Sequence, residues 1–426
     1  MKVYCGIDWA EKHHDIALVD EAGTVIAQRR IAESPQGYEE LLTLLAEAGD
    51  SAEAPVPVAI ETPRGLLVAQ LRASGRRVFA INPLSASRYR DRHSVSRKKS
   101  DRQDAVVLAN ILRTDMALHR SLPADSHQAQ AIALLARGHQ DAVWRIHRVG
   151  NELRSLLREY HPAFLTLFAG QEGGITCREA RAVLKVAPTP AAARLLSIAE
   201  LRAVLKSCGR IYHLQAWAER LHAGFQVDQL RQPTFIEEAM GQQALALLAV
   251  LDAACQAAAD LHQATVTAFR DHPDHDIVTS FPGLGELTGA RLFAEIGDDR
   301  TRFADARALK AYAGAAPITR ASGRSRAVVH RRVKNRRLAA VGYIWAFASL
   351  TASPGARVHY DRRKEHGDRH SAALRNLYNR FLSCLFHCLT TRQPYSEHFA
   401  FPTTDPGGST APRPPRTAAA VDAQSR

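Results

Sequence analysis

The chain has 426 residues, enough for two or three domains, and its 46% apolar, 23% charged composition is globular, which excludes a wholly disordered or fibrous protein. Lys and Arg number 56 against 43 Asp and Glu, a net charge of +13 with a pI near 9.7, so a polyanionic partner, nucleic acid by default, is expected. Six scattered cysteines form no CxxC pair, and the sequence has neither a long unbroken apolar run nor an apolar block beside a charged start. A disulfide scaffold, a structural zinc site, a membrane span and a signal peptide are therefore not expected, and the expected compartment is the cytoplasm.

Residues 2–9 (KVYCGIDW), 14–19 (HDIALV) and 24–31 (TVIAQRRI) are rich in Val and Ile and predict three short strands, the last two separated by the turn Glu21-Ala22-Gly23. A helix over 36–48 follows, with Leu41, Leu44, Leu45 and Ala48 on one face. Then come a strand at 56–61, a helix at 63–74, a strand at 76–81, and a helix over 101–118 with Ser100 as its N-cap. This order predicts an α/β unit over 1–122. Its sheet must be mixed, because the early connections are too short for parallel crossovers.

Two long helical stretches follow. Ile132, Leu135, His139, Ala142, Ile146, Val149, Leu153, Leu156 and Tyr160 recur at spacings of three and four, as do Ala244, Leu247, Leu251, Ala254, Ala258, Leu261, Thr265 and Ala268. Such heptads predict a coiled-coil arm over 123–272, packed antiparallel within the chain or across a dimer. The segment 170–236 between them carries Gly and Pro punctuation and no assignable role. A third, mainly helical domain is expected over 273–395, with an irregular Arg-rich passage at 317–333. The tail over 396–426, rich in Pro, Gly, Ser, Thr and Ala from Pro402 onward, is expected to be disordered.

Four carboxylates stand out. Asp8 ends the first strand (GIDWA) and Glu61 the fourth (VAIETPRG), while Asp101 and Asp104 lie three apart on one helix (KKSDRQDA). Brought together they would repel unless cations sat between them, and Mg²⁺ suits such oxygen ligands. Two such ions can clamp the attacking and leaving oxygens of a phosphodiester. Each carboxylate alone reads as a turn residue or a helix-start charge; the set of four in this order is the stronger signal. Asp15 is assigned a structural role, and His13 and His14 are not taken as ligands. The run 85–99 holds six Lys and Arg with one acid, so Arg88, Arg90, Arg97, Lys98 and Lys99 are candidate phosphate contacts beside the metal site.

In the third domain, FPGLG at 281–285 before a helix fits a helix–hairpin–helix phosphate cradle and a plain Gly-rich connector equally well. From Arg320 to Arg337 there are eight Lys and Arg and no acid. Ser322 precedes Gly323 there, flanked by Arg320, Arg324 and Arg326; spacing alone favours a Ser-Gly turn, with Ser325 a rival hydroxyl. Cys384 and Cys388 read as core cysteines.

The order GIDWA, IETPRG, KSDRQDA, PGLGELTGARLFAEIGD and LKAYAGAAPITRASG resembles the DEDD transposases of bacterial insertion sequences, the insertion-sequence one-ten family, whose relatives include pilin-gene-inverting recombinases. The resemblance runs from residue 1 to about 392. It implies an N-terminal RuvC-like, RNase H-fold nuclease domain and a C-terminal transposase domain. It implies that Asp8, Glu61, Asp101 and Asp104 are the metal ligands, for Mg²⁺ or Mn²⁺, and that Ser322 is the serine that attacks DNA to form a phosphoserine intermediate in a composite site. It further implies a homo-oligomer, dimer or tetramer, joined by coiled-coil contacts, guidance in some members by a structured RNA from the element, and action at the nucleoid without a membrane. The segment 170–236 and the tail depart from a compact family member. Two other functions compete: a hydrolytic junction-resolving nuclease using the same carboxylates without Ser322, and a non-catalytic nucleic-acid-binding protein.

Overall fold

The computed structural model describes residues 2–93, 100–323 and 325–402. Arg97, Lys98, Lys99 and Arg324 lie outside the described residues, as does the tail from 403. The chain divides into two compact units, one running through Asp125 and one beginning at Ser126.

The first unit opens with three strands, β1 (Tyr4–Trp9), β2 (His13–Val19) and β3 (Val25–Ala32). They are followed by α1 (Pro35–Glu47), β4 (Val58–Ile60), α2 (Leu66–Ala73), β5 (Val78–Ala80), α3 (Pro83–His93) and α4 (Asp101–Asp115). The sheet order is β3-β2-β1-β4-β5. The two early hairpins pair antiparallel, and β1–β4 and β4–β5 pair parallel, so the sheet is mixed as the connection lengths require. Ser34 and Ser100 cap α1 and α4 by accepting from Gly37 N at 3.1 Å and Gln103 N at 3.3 Å. The helix α3 was not foreseen. Its Arg-rich sequence has almost no apolar periodicity, and it is started by Pro83 and by Asn82, whose side chain accepts from Leu84 N at 2.8 Å.

Alternation along the strands gives the sheet two apolar faces. Cys5, Ile7, Ile16 and Leu18 pack on Leu41 and Leu45 of α1 and Leu67 and Leu71 of α2. The opposite face is lined by small residues, Gly6, Ala17 and Ala59, and α4 lies on it through Ala105, Val106, Leu108 and Ala109. The approach is close: a Cβ on Gly6 would come within 2.0 Å of the Ala105 carbonyl oxygen.

The second unit is built on two long helices, α5 (His127–Tyr160) and, after five short ones, α11 (Thr234–Arg270). They pack antiparallel. The His139 and His262 rings meet edge-on at 5.9 Å, while at the other end Gln232 reaches the Glu159 carbonyl at 3.3 Å. The seam on α11 is Ala244, Leu248, Leu251, Ala254, Ala258 and Thr265, a heptad rhythm of mostly small residues that lets the backbones come close. By length and composition α11 is apolar enough to cross a membrane, which the sequence reading did not anticipate; here that seam faces α5. The intervening helices α6 (Pro162–Phe168), α7 (Arg178–Val186), α8 (Pro190–Leu195), α9 (Ile198–Ser207) and α10 (Leu214–Gln226) share one core with the ends of the pair. Its centre is Phe164, Phe168, Trp217 and Phe225, so segment 170–236 is a helical module.

The remainder contains α12 (His275–Thr279), α13 (Glu286–Ile296), α14 (Ala306–Ala313), β6 (Ile318–Ser322), β7 (Ser325–Val329), α15 (Arg336–Ala352), α16 (Pro354–Glu365), α17 (His370–Thr391) and α18 (Glu397–Ala400). Trp345 stacks on Phe381 at 4.9 Å in its core. The passage expected to be irregular is instead a regular hairpin over much of its length, β6 against β7, with Gly323 just after β6 at φ +54. The turn at 281–285 joins α12 to α13. Gly283, at φ +79, lies against the backbone of α15, Trp345 Nε1 donates to Pro282 O at 3.1 Å, and Glu286 occupies the start of α13 paired with Arg270. Cys388 is buried in the core, and burial pushes its thiol up to about 11.

Gly6→Ala is expected to destabilise the first unit by about 3 kcal/mol, since the added methyl meets α4 backbone that cannot swing away. Denaturant melting measures it; a loss under about 1 kcal/mol would show that α4 can shift outward.

Candidate active site

The carboxylates converge because of how β1, β4 and α4 meet. Ile7 of β1 pairs with Ile60 of β4, so Asp8 and Glu61 are each the next residue along two parallel neighbours and share a face. That face is the one α4 covers. The first turn of α4 brings Asp104, 6% exposed, over the sheet, with Asp101 more exposed at its rim.

Asp8 registers the crowding. Its carboxyl is pushed up from 3.8 to about 6, first by burial and then by the negative charges of Asp104, Asp101, Glu61 and Asp15. All four residues expected from the sequence therefore belong to one electrostatic cluster.

Three further residues were missed. Asp15 is the cross-strand partner of Asp8, and Arg30 is that of Asp15, so a row Asp8–Asp15–Arg30 crosses three strands on one face. Asp15 is almost fully buried. Arg30 Nη2 donates to its Oδ2 at 2.6 Å and also reaches Asp101 Oδ2 at 3.3 Å. Donor atoms of His13, Asp15 and Asp101 lie within 4.8 Å of one another, so His13, set aside in the sequence, stands at the site's edge. Strand alternation carried the signal, since positions 13, 15, 17 and 19 of β2 must share a face. Arg90, expected to contact phosphate, lies 2.6 Å from Asp104 and forms an ion pair with it. Arg88 is exposed on α3.

Five carboxylates against the two guanidiniums of Arg30 and Arg90 leave the cluster acidic, and its oxygen donors suit a hard divalent cation. Asp8, Glu61, Asp101 and Asp104 could hold such an ion, with Asp15 and His13 at the margin; a histidine nitrogen there tolerates Mn²⁺ as well as Mg²⁺.

In the second unit Ser322 is the last residue of β6 and is exposed, directly opposite Ser325 of β7. Opposed residues share a face, so the two hydroxyls are neighbours. Arg320 is two residues back on that same face. Arg326, paired with Ala321, is on the other face of the hairpin, so it does not flank Ser322 as its sequence position suggested.

The Asp8 shift has a definite sign. Its folded value lies above its unfolded one, so between about pH 4 and 6 the folded state holds a proton that the unfolded state has lost, and stability falls as pH rises through that window. In metal-free protein near pH 7, Asp8→Asn should therefore raise stability by about 1 kcal/mol, after discounting the shift for the residue's half exposure. The same change should abolish most of the rise in melting temperature that Mg²⁺ produces in the parent. Melting curves with and without Mg²⁺ check both; equal Mg²⁺ stabilisation of parent and variant would remove Asp8 from the ion's ligands.

Comparison with known proteins finds two family matches along the chain. Residues 5–162 match a transposase family described as the IS110 DEDD type, and residues 275–361 match the transposase family IS116/IS110/IS902. A relative from Streptomyces coelicolor, named for transposition of the IS117 mini-circle, is 60% identical over 401 residues, covering 94% of this chain and 97% of its own. A 43.6 kDa protein of insertion element IS110 from the same organism is 27% identical, covering 91% of this chain and 94% of its own. A 42 kDa protein of IS900 from Mycobacterium paratuberculosis is 27% identical, covering 92% and 97%. The chain belongs to the IS110 family of insertion-sequence transposases.

Proposed function

We propose that this transposase cuts and rejoins DNA strands through a serine nucleophile, Ser322, assisted by a divalent cation held by Asp8, Glu61, Asp101 and Asp104. The observation that carries the reading is the raised carboxyl of Asp8 within its acidic cluster, an arrangement that a bound cation relieves. The sheet order β3-β2-β1-β4-β5, with acids at the ends of β1 and β4 and on α4, supports a RuvC-like, RNase H-type unit.

In this reading the Ser322 hydroxyl loses its proton as its oxygen bonds to phosphorus, and the P–O bond to the departing strand breaks. That strand's oxygen takes up a proton. A hydroxyl of the incoming strand then displaces Ser322 and restores a phosphodiester. When bound, Mg²⁺ or Mn²⁺ would supply charge stabilisation at the phosphoryl oxygens. Asp8 and Glu61 would hold it from the sheet, and Asp101 and Asp104 from the helix. Arg320, on the serine's own face, would hold a phosphoryl oxygen. Arg88, Arg97, Lys98, Lys99 and Arg324 remain proposed backbone contacts, with Arg326 on the hairpin's far face.

Assembly into a homo-oligomer through a coiled-coil arm is supported by the antiparallel pair α5–α11, beside whose far end Leu230 and Phe235 are exposed. Guidance by a structured RNA rests on the family resemblance and is tested by RNA that co-purifies with the protein and restores sequence-directed cleavage.

The central test is covalent. With Mg²⁺ and element-end DNA the parent should form a protein–DNA adduct, and Ser322→Ala should lose the adduct and at least about a hundredfold in strand exchange, consistent with removing a nucleophile. DNA binding should be unchanged. Retention of the adduct by Ser322→Ala with loss in Ser325→Ala moves the role to the opposed hydroxyl. Nicking that survives both changes identifies a water nucleophile and the hydrolytic nuclease.

A further inference from the structure

We propose that the cleft between Lys334 and Arg375 binds a backbone phosphodiester of nucleic acid and so anchors a strand at the root of the Ser322 hairpin. The inference rests on the reading of that hairpin as the carrier of the nucleophile, but the site is defined by its own geometry.

The cleft has a volume of about 130 Å³ and lies between the end of α14, the residues that follow β7, and the first turns of α15 and α17. At ~30 Å³ per water it accommodates roughly four waters or one phosphate group. No carboxylate lines it. Lys334 and Arg375 enter from opposite sides, each half-buried, and neither forms an ion pair among the described residues. The Lys334 ammonium donates to His330 Nε2 at 3.0 Å, so that imidazole nitrogen is an acceptor and supplies no balancing charge.

The cleft is built rather than incidental. Gly314 ends α14 in the left-handed region at φ +75, and a Cβ there would lie 2.2 Å from Lys334 Cδ. The bare glycine is what lets the lysine stem cross this point along the cleft wall. On the far wall a Cβ on Gly342 would meet the Tyr378 ring at 2.2 Å, so a second glycine sets the floor. Ser371 adds a hydroxyl from the first turn of α17, whose cap, Arg369, makes no side-chain bond to the free amides.

Electrostatics agrees with an anion site. Lys334 is held below the ordinary lysine range, first by partial burial and then by Arg375 and Arg336, and His330 is lowered by burial and by Arg375 and Lys334. Like charges gathered without a counter-charge oppose one another, and an anion in the cleft relieves them. A phosphodiester meets both geometries, taking a forked pair of bonds from the guanidinium and a point contact from the ammonium. Eight residues separate Gly314 from Ser322, so at ~3.3 Å each the serine lies at most roughly 26 Å from the cleft. With phosphates ~3.4 Å apart along a duplex axis, a strand following the hairpin would place the anchored phosphate within about eight nucleotides of the attacked one.

The test uses the full-length protein with a short DNA duplex and, separately, a structured RNA. Lys334→Gln and Arg375→Gln should each flatten the salt dependence of binding by about one unit of slope, and Lys334→Arg should restore it. Both changes are at half-buried surface positions, and Lys334→Arg also controls for folding. Methylphosphonate substitution, one phosphate at a time, should find a sensitive position within about eight nucleotides of the cut, and its effect should vanish in Arg375→Gln. A flattened slope with DNA assigns the anchored strand to DNA, and with RNA to RNA; either supports the site. Unchanged slopes with both probes overturn it, and so does a loss that no single phosphate reproduces. The Ser322 adduct, measured in parallel on the parent protein, reports on the nucleophile independently, so failure of one reading is distinguishable from failure of the other.

Discussion

Everything at the acidic site depends on holding like charges together, and the structure does this with packing. Five carboxylates gather on one sheet face because α4 lies almost on the backbone of β1 at Gly6. The apolar contacts of Ala105, Leu108, Ala109 and Leu112 with that face are what offset the repulsion. Arg30 and Arg90 neutralise Asp15 and Asp104, the two most buried acids. Among the described residues Asp8 forms no ion pair with a guanidinium, which leaves the raised carboxyl at the centre.

Much of this was legible in the sequence, for identifiable reasons. Strands of Val and Ile with a Glu-Ala-Gly turn force antiparallel hairpins, and two later strands separated by helices must join in parallel. Asp8 and Glu61 follow as neighbours from strand order, and Ser100 marks the start of α4. The row Asp8–Asp15–Arg30 was not legible, because cross-strand register is a tertiary fact; Asp15 looks misplaced until β2 is laid beside β1. Helix α3 is set by its start signal with little apolar patterning to announce it. The hairpin β6–β7 was hidden for a similar reason: exposed on both faces, it has polar and basic residues where alternation would normally appear.

The second unit shows the complementary economy of small residues. Ala244, Ala254 and Ala258 bring α11 close to α5, and Gly283, Gly314 and Gly342 let side chains or backbone cross where a methyl group would block them. Aromatic stacking of Trp345 on Phe381 then fixes the core from which the hairpin projects. The serine is thus placed on an exposed element with a rigid root, a common way of presenting a reactive group to a large substrate.

The contiguity of the first unit also has a consequence in time. Its sheet, helices and carboxylates are all complete by Asp125, with cores of their own. At ~5–20 residues per second, the ribosome needs roughly 10–40 s more to reach Ser322. A nascent chain in that interval carries the acidic half of the proposed site and not yet the proposed nucleophile. Synthesis order therefore separates the two halves, and until Ser322 has been made a nascent chain cannot supply the proposed serine to DNA.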